Sequence, residues 1–315
     1  MLKDHVQLPV IAAPMFLVSG TEMVIESCKQ GIIGTFPLLN ARTGEELERW
    51  MTEVKDALDQ AKQDDPEATI APWGVNLIVH RSNARYEEDL ERIRQFQPPV
   101  VITSLGNPTP VVEVVHSYGG IVMSDVITTK HAKKAAGAGV DGLILVSSGA
   151  GGHGGLLNPM AFIAEVKQFF DGTIVLAGCI SSGREVLAAE VLGADLAYMG
   201  TRFIATEEAM AQPEYKRMLV EASTDDILYT DAISGVNANF LIPSMQAAGL
   251  DPKNLQPAGE VDVTHTKKEA KSWKDVWSAG QGVTSVKTVA SIKDTVKEIK
   301  AEYEKAVDEI SAKRA

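Results

Sequence analysis

The sequence predicts an α/β fold: a (β/α)8 barrel that carries a smaller inserted α/β lid domain. The chain has 315 residues, which is about 65 more than the roughly 250 residues of a plain (β/α)8 barrel. Eight short apolar runs alternate with helical patterns, as expected for buried parallel strands. The alternation then stops for about 70 residues before one last amphipathic helix. An open doubly wound sheet could also hold eight strands, but the closed barrel is favoured.

The strands are predicted from runs of β-branched and apolar residues that end in Gly, Pro, Ser or Asn. They cover residues 10–15, 31–37, 73–79, 100–106, 119–126, 141–148, 173–178 and 196–203. Helical patterns lie between them, often with Ser, Thr or Asn at the N-cap position. They include residues 21–30, 43–63, 82–96, 128–138, 159–170 and 182–192.

The last third of the chain breaks this pattern. Residues 212–282 contain four prolines and no clear alternation. Residues 285–312 then have apolar residues three and four apart, which is typical of a helix packed on a core. We therefore predict a barrel domain formed by residues 1–211 and 283–315, and an inserted substrate or lid domain over residues 212–282.

Composition argues against several classes of function. The net charge of −12, without basic clusters beyond short lysine pairs, argues against nucleic-acid and anionic-membrane partners. The sequence has no uncharged apolar run of about 18 residues, so we predict no membrane span. The two cysteines are too few for a disulfide framework, and we expect a cytoplasmic protein. No spacing of histidines or carboxylates indicates a metal site.

The loop after the sixth predicted strand contains the strongest catalytic candidate. In barrel enzymes, the loops at the C-terminal ends of the strands build the active site. Residues 147–155 place five glycines around His153. Glycines let the backbone approach a ligand, and the imidazole is the one strong acid or base in this loop. The alternative is a flexible turn with a surface histidine.

The loops after strands seven and eight indicate a phosphate site. Gly178 and Gly200 end these two strands, Ser181 precedes a helix, and Thr201 follows Gly200. Exposed backbone N–H groups, a helix N-terminus and hydroxyl donors are what a phosphate requires. The alternative to a phosphate site is that these residues only cap the helix and form tight turns.

Other strand ends supply further candidates for ligand binding. The first strand ends in Ala13, Pro14 and Met15, which could lie against a flat ring system. Asn76 interrupts the apolar run of strand three, and a buried amide needs a polar partner. Three more polar residues stand at strand ends, namely Ser104, Asp125 and Ser147. Asp125 could instead cap the helix that begins near residue 128.

Together these residues resemble the nitronate monooxygenase (2-nitropropane dioxygenase) family. The resemblance runs from about residue 10 to about residue 282 and rests on the motifs at 13–15, 139–155 and 193–203. The glycine–histidine loop is its most specific part. The family implies a TIM barrel with a smaller inserted domain and a non-covalent FMN cofactor.

The resemblance also implies roles for individual residues. Pro14 and Met15 would line the isoalloxazine ring, and Asn76 would bind its polar edge. The implied phosphate contacts are Gly178, Ser181, Gly200 and Thr201. Gly151 and Gly152 would lie near the cofactor, and His153 would be catalytic. Gln281 and Gly282 resemble a segment that closes over the flavin, and residues 234–239 resemble a lid segment.

The implied reaction is the oxidation of an alkyl nitronate or nitroalkane by O2, which gives a carbonyl compound and nitrite. His153 would orient an anionic nitronate when protonated, or remove a proton from a neutral nitroalkane when neutral. Because the chain carries net negative charge, we expect a locally positive pocket, with Arg81 or Arg202 as contributors.

Three other functions stay open on the sequence. The first is an FMN-dependent NAD(P)H:quinone or enoyl reductase. The second is a flavin-free barrel lyase or isomerase that grips a phosphorylated substrate with the loops after strands seven and eight. The third, a non-catalytic flavin-binding protein, is disfavoured by His153. A homo-oligomer is compatible with the sequence.

Overall fold

The computed structural model describes residues 2–255 and 274–313, and it confirms the barrel prediction. Eight parallel strands form a closed ring in which the first strand pairs with the last, Ile11 opposite Tyr198. The barrel strands are β1 (Val10–Ala12), β2 (Ile33–Pro37), β3 (Trp73–Ile78), β4 (Val100–Ser104), β5 (Ile121–Val126), β6 (Gly142–Val146), β8 (Thr173–Ala177) and β9 (Leu196–Met199). The two-residue strand β7 (Gly152–His153) lies outside the ring.

Helices connect the barrel strands. They are α1 (Thr21–Lys29), α2 (Gly44–Asp64), α3 (Tyr86–Phe96), α4 (Thr109–His116), α5 (Thr129–Gly137), α6 (Pro159–Val166) and α7 (Gly183–Leu192). Helix α4 was not among the helices predicted above, because its Val-Val-Glu-Val-Val run has the β-branched composition of a strand. Tertiary packing buries four of its valines, which outweighs their low helix propensity.

The returning helix α11 (Ile292–Ala312) begins seven residues later than predicted. Ser291 is its N-cap and accepts a hydrogen bond from the backbone N–H of Asp294 at 3.1 Å. The preceding residues Gln281–Ser285 form a 3-10 turn. Helix α11 packs closely on α7, since a Cβ added to Gly183 would lie 2.0 Å from the carbonyl oxygen of Ile299. Only glycine fits at this contact.

The barrel interior is a packed core. Its apolar cluster includes Ile11, Ile33, Ile102, Ile144 and Val175, all fully buried. A ligand therefore cannot pass through the barrel, and a site has to lie at one of its ends.

The segment after β9 adds helices and a small sheet. Its elements are α8 (Thr201–Ile204), α9 (Pro213–Glu221), β10 (Ile227–Thr230), β11 (Ala238–Leu241) and α10 (Ile242–Ala247). Strand β11 pairs antiparallel with β10 on one side and with β7 on the other, Ala238 opposite His153. The glycine–histidine loop is thus part of this sheet.

The domain division at residues 212–282 stays a prediction, and residues 256–273 of that segment lie outside the described part of the chain.

Within residues 2–255 and 274–313, the helices are all too short or too polar to cross a lipid bilayer.

Candidate active site

A cavity of about 940 Å³ lies where the barrel strands end. This volume is within the usual range for small-molecule and cofactor sites. Its wall brings together most of the predicted residues, namely Ala13, Pro14, Met15, Asn76, Asp125, Gly151, Gly152, His153, Gly178, Ser181, Gly200, Thr201 and Gly282. These residues come from six barrel strands or the loops after them and from the segment near residue 280.

Two predicted ligand contacts are placed differently. Ser147 is fully buried outside the cavity wall, and its hydroxyl donates to the carbonyl oxygen of Ala177 at 2.6 Å. Gln281 is exposed and also lies outside the wall. Its backbone N–H donates to the carbonyl oxygen of Gly149 at 2.8 Å. Ser147 therefore ties β6 to β8, and Gln281 holds the glycine–histidine loop through its main chain.

A chain of hydrogen bonds crosses the cavity wall from β3 to β5. Asn76 Nδ2 donates to Ser104 Oγ at 2.7 Å, and Ser104 Oγ donates to Asp125 Oδ2 at 2.6 Å. The other carboxyl oxygen, Oδ1, is buried and has no hydrogen-bond partner within the described chain. Burial raises the pKa of Asp125 to about 6. The cap of α5 is Thr128, so Asp125 is not the helix cap considered above.

The loops after β8 and β9 form a cradle that contains two glycines, of which Gly178 is tightly packed. Gly178 has φ +122°, and a Cβ there would lie 2.5 Å from Ser147 Oγ. A Cβ on Gly200 would be 3.4 Å from Met15 Sδ. Thr201 Oγ1 accepts a hydrogen bond from the backbone N–H of Gly280 at 2.9 Å, which leaves its own hydroxyl hydrogen for another acceptor.

The N-terminus of α7 differs from the prediction for a phosphate site. The backbone N–H groups of Ser181 and Ser182 both donate to Glu185 Oε2, at 2.6 and 2.9 Å. The N–H of Gly183 donates to Glu302 Oε2 at 2.8 Å. Because two carboxylates already occupy these donors, the helix terminus adds little to anion binding. Ser181, Gly178 and Gly200 still line the cavity.

The positive charge at the cavity is also placed differently from the prediction. Arg202 is buried, donates to the carbonyl oxygen of Ser285 and pairs with Glu298. Arg81 is exposed and stands outside the wall. Lys134, on α5, lines the cavity instead. Among the described residues of the wall, Asp125 is the one carboxylate.

His153 is fixed by the small sheet. Besides the strand pairing, Asn239 Nδ2 donates to the carbonyl oxygen of Ala150 at 2.6 Å, and the Tyr229 hydroxyl donates to that of Gly154 at 3.0 Å. His153 Nε2 lies 3.2 Å from Ser234 Oγ. Burial lowers the pKa of His153 to about 4, so the imidazole is neutral near pH 7.

Sequence reasoning missed Tyr198, Ser234 and Asn239 as individual residues of the site. Tyr198 sits inside an apolar strand yet lines the cavity, and its pKa is raised by burial and by the neighbouring Asp125 charge. Ser234 and Asn239 bound the segment that resembles a lid segment, which was the available indication.

Comparison with known proteins agrees with this geometry. The family model described as nitronate monooxygenase matches residues 1–302. The chain belongs to this family. The resemblance predicted from the three motifs is therefore confirmed.

Individual members of the wider group are distant. A Mycobacterium tuberculosis protein, named only provisionally as a monooxygenase, is 32% identical over 183 residues, which cover 58% of this chain and 49% of that protein. A Rhodococcus jostii protein, named as a dehydrogenase of a hydroxy-methyl-oxo-octahydro-indene carboxyl-CoA, is 28% identical over 234 residues, covering 73% of this chain and 62% of that protein. The chain thus spans about half to three fifths of the length of these relatives.

A solved structure shows the same fold. The nitroalkane oxidase of Streptomyces ansochromogenes superimposes with a TM-score of 0.82 at 22% identity, covering 98% of this chain and 99% of that one.

Proposed function

We propose that this member of the nitronate monooxygenase family is an FMN-dependent enzyme that oxidises alkyl nitronates or nitroalkanes with O2 to a carbonyl compound and nitrite. The observation that carries the proposal is a half-buried, neutral histidine, His153, on the wall of a cavity that also has a glycine cradle. Membership of the nitronate monooxygenase family limits the expected reaction to the oxidation of nitronates or nitroalkanes.

The cavity fits FMN in three respects. Pro14 and Met15 supply an apolar wall, on which a flat ring can lie. The cradle at Gly178 and Gly200 lets the backbone approach a phosphate, because neither residue carries a Cβ. The unpartnered oxygen of Asp125 needs a polar group, which the edge of a flavin ring supplies.

The residues that would hold FMN are Ala13, Pro14, Met15, Asn76, Asp125, Gly151, Gly152, Gly178, Ser181, Gly200, Thr201 and Gly282. FMN, when bound, would supply the electron transfer from substrate to O2. The protein's contribution is placement, electrostatics and proton transfer.

His153 acts as a base in this proposal. A neutral imidazole has a lone pair that can accept the proton from the carbon next to the nitro group. The C–H electron pair then remains on the substrate, which becomes the nitronate. Because the imidazole is neutral, it does not supply the positive charge expected for an anionic substrate. Lys134, an exposed lysine on the cavity wall, is the candidate for that charge.

The segment after β9 shields the reacting groups from water. Tyr215 and Trp277 line the cavity and stack on each other, with ring centroids 4.9 Å apart. Both are nearly buried, and Val236 adds a third apolar side chain from the same segment. The alkyl group of a nitroalkane would therefore contact the apolar wall formed by Tyr215, Trp277 and Val236.

A second candidate is the FMN-dependent NAD(P)H:quinone or enoyl reductase. Two observations favour it. The Rhodococcus relative is named for a CoA-linked substrate, and the cavity continues along α5 past His131 and Lys134, where an anionic tail could lie.

The proposal is tested by measuring the absorbance of the purified protein, with and without added FMN, and then nitrite release from a nitroalkane and its nitronate. His153→Asn should keep FMN bound and lower turnover of the nitroalkane about 100-fold. His80→Asn is the matched control, because His80 is outside the cavity and contacts Ser82. A protein that gains no flavin spectrum, or a His153→Asn variant with unchanged turnover, would refute it.

A further inference from the structure

The loop after β1 contains a leucine in a backbone conformation that is typical of glycine. Leu17 has a φ of +61°. The N–H of Val18 donates to the carbonyl oxygen of Met15 at 3.2 Å and closes a turn in which Leu17 is the third residue. A positive φ at this place in a turn favours Gly or Asn, because a larger side chain crowds the backbone. The conformation of Leu17 therefore costs free energy that other contacts have to offset.

Asn40, which follows β2, supplies such contacts. Its Oδ1 accepts a hydrogen bond from the N–H of Leu17 at 2.9 Å. Its Nδ2 donates to the carbonyl oxygens of Met15 and Ser19, at 2.9 and 2.8 Å. Asn40 is 6% exposed, so water competes little for these three hydrogen bonds. One side chain thus binds the strained residue and the positions two residues before and two residues after it.

The orientation of the Asn40 amide follows from its partners. A carbonyl oxygen can only accept a hydrogen bond, and a backbone N–H can only donate one. The NH2 group therefore has to face Met15 and Ser19, and the amide oxygen has to face Leu17. Aspartate has nearly the same shape, but its carboxylate would place an oxygen against two carbonyl oxygens.

The same loop forms part of the cavity wall. Four of its residues line the cavity, namely Pro14, Met15, Phe16 and Val18. Asn40 and Leu17 lie outside the wall. They can therefore affect a ligand in the cavity only through the residues that they hold in place.

We propose that Asn40 is a positioning residue: by holding Leu17 in its left-handed conformation, it keeps residues 14–15 in place to bind the flavin ring. The binding of the ring rests on the proposed function, whereas the hold on the loop does not. Asn40 acts on the ring side of the cavity and has no contact with a phosphate. Its loss should therefore weaken the binding of FMN and of riboflavin by the same factor.

Flavin affinity is the first readout, and it is measured by titrating the flavin-free protein with FMN and with riboflavin. Asn40→Ala should raise both dissociation constants about tenfold, because the loop loses three buried hydrogen bonds. Asn40→Asp should raise them at least as much, since a carboxylate cannot donate. Asn83→Ala is the matched control: Asn83 is also buried and binds the carbonyl oxygen of Ile78 through its amide, but it lies outside the wall. It should change both constants less than about twofold.

A rescue experiment separates this role from a general loss of folding. Glycine adopts a positive φ without strain, whereas alanine does not, and both substitutions remove the rest of the Leu17 side chain. Combined with Asn40→Ala, Leu17→Gly should improve the FMN affinity about threefold, and Leu17→Ala should not improve it. An amide that contributes only to overall stability would give no such difference between glycine and alanine.

Urea unfolding of the flavin-free protein tests the loop without a ligand. With Asn40 present, the equilibrium constant for unfolding should be about fivefold smaller in Leu17→Gly than in Leu17→Ala, because alanine keeps the strain. In the Asn40→Ala background the loop can relax, so the difference between glycine and alanine should fall below about twofold.

Five results would overturn the inference: an advantage of glycine over alanine that is the same with and without Asn40, rescue of FMN affinity by both Leu17 variants or by neither, an FMN affinity that Asn40→Ala leaves unchanged, a loss for FMN that riboflavin does not share, or an equal loss in Asn83→Ala. A wild type that binds no flavin would refute the proposed function, and the unfolding experiment would still decide whether Asn40 holds the loop.

Discussion

Two half-buried groups at the cavity, His153 and Asp125, should make the stability of this protein depend on pH in opposite directions. Burial lowers the pKa of His153 from 6.5 to about 4, and it raises that of Asp125 from 3.8 to about 6. As the pH falls, the unfolded chain protonates the histidine first, so the folded state loses stability from about pH 6.5 downwards. The folded state protonates Asp125 first, so it gains stability below about pH 6.

The magnitudes follow from these values. At pH 5 the histidine is 1.5 units below its unfolded pKa of 6.5, which costs about 2 kcal/mol relative to pH 8. Asp125 at pH 5 is one unit below its folded pKa of about 6, which returns about 1.4 kcal/mol. The two effects nearly cancel in the wild type. Only single variants separate them.

The assay is urea unfolding of the FMN-free protein at pH 8 and pH 5 for the wild type, His153→Asn and Asp125→Asn. On going from pH 8 to pH 5, the change in unfolding free energy should be about 2 kcal/mol more favourable in His153→Asn than in the wild type. It should be about 1.4 kcal/mol less favourable in Asp125→Asn. Equal pH dependence in all three proteins would show that neither group is buried as described.

Two further substitutions test the cradle. Gly178→Ala should lower the free energy of unfolding by about 1–3 kcal/mol and weaken FMN binding, because φ is +122° and a Cβ would approach Ser147 Oγ at 2.5 Å. Gly119→Ala is the matched control in denaturation and FMN titration, because Gly119 also has a positive φ of +81°, a Cβ there would meet no atom within 4 Å, and it lies outside the cavity wall. It should lose less stability than Gly178→Ala and keep its FMN affinity, and equal losses in the two variants would contradict the reasoning. Glu185→Gln should tighten FMN binding two- to fivefold at low salt but leave riboflavin binding unchanged, because it removes a negative charge beside Ser181 and keeps the cap. A riboflavin affinity that changes as much would show that the phosphate is elsewhere.

Local patterns were sufficient to predict the barrel strands. Each runs through buried β-branched or apolar residues, so composition locates all eight observed strands. The predicted lengths are less accurate, because several runs extend past the end of the strand. Residues 200–203, predicted as strand, lie outside β9, and Thr201–Ile204 form α8. The same rule failed for α4, whose valines pack as a helix. Valine content alone does not separate a short buried helix from a strand.

The small sheet could not be predicted by local reasoning. Strand β7 has two residues, Gly152 and His153, in a glycine-rich loop without strand periodicity. Its partner β11 is more than 80 residues away, and only the folded barrel brings the two together. The contact of Ser234 with His153 depends on this pairing, which is why Ser234 was found only in the structure.

The capping box beside the cradle could have been predicted from the sequence, but it was not. Ser182 and Glu185 have the S-x-x-E spacing of a capping box, in which the glutamate binds the N–H groups at the start of the helix. The predicted use of this terminus for a phosphate competes with that box. Sequence patterns for a ligand site therefore have to be weighed against patterns that satisfy the same donors internally.

The central claim is that the substrate reduces the flavin directly. It is tested by mixing the FMN-loaded protein, under anaerobic conditions, with an alkyl nitronate or with NADH or NADPH, and by following the flavin absorbance. The nitronate should bleach the flavin within the turnover time, and admitted O2 should restore it, with nitrite released. Rapid bleaching by a nicotinamide cofactor, with no change on adding the nitronate, would contradict the account and favour a reductase.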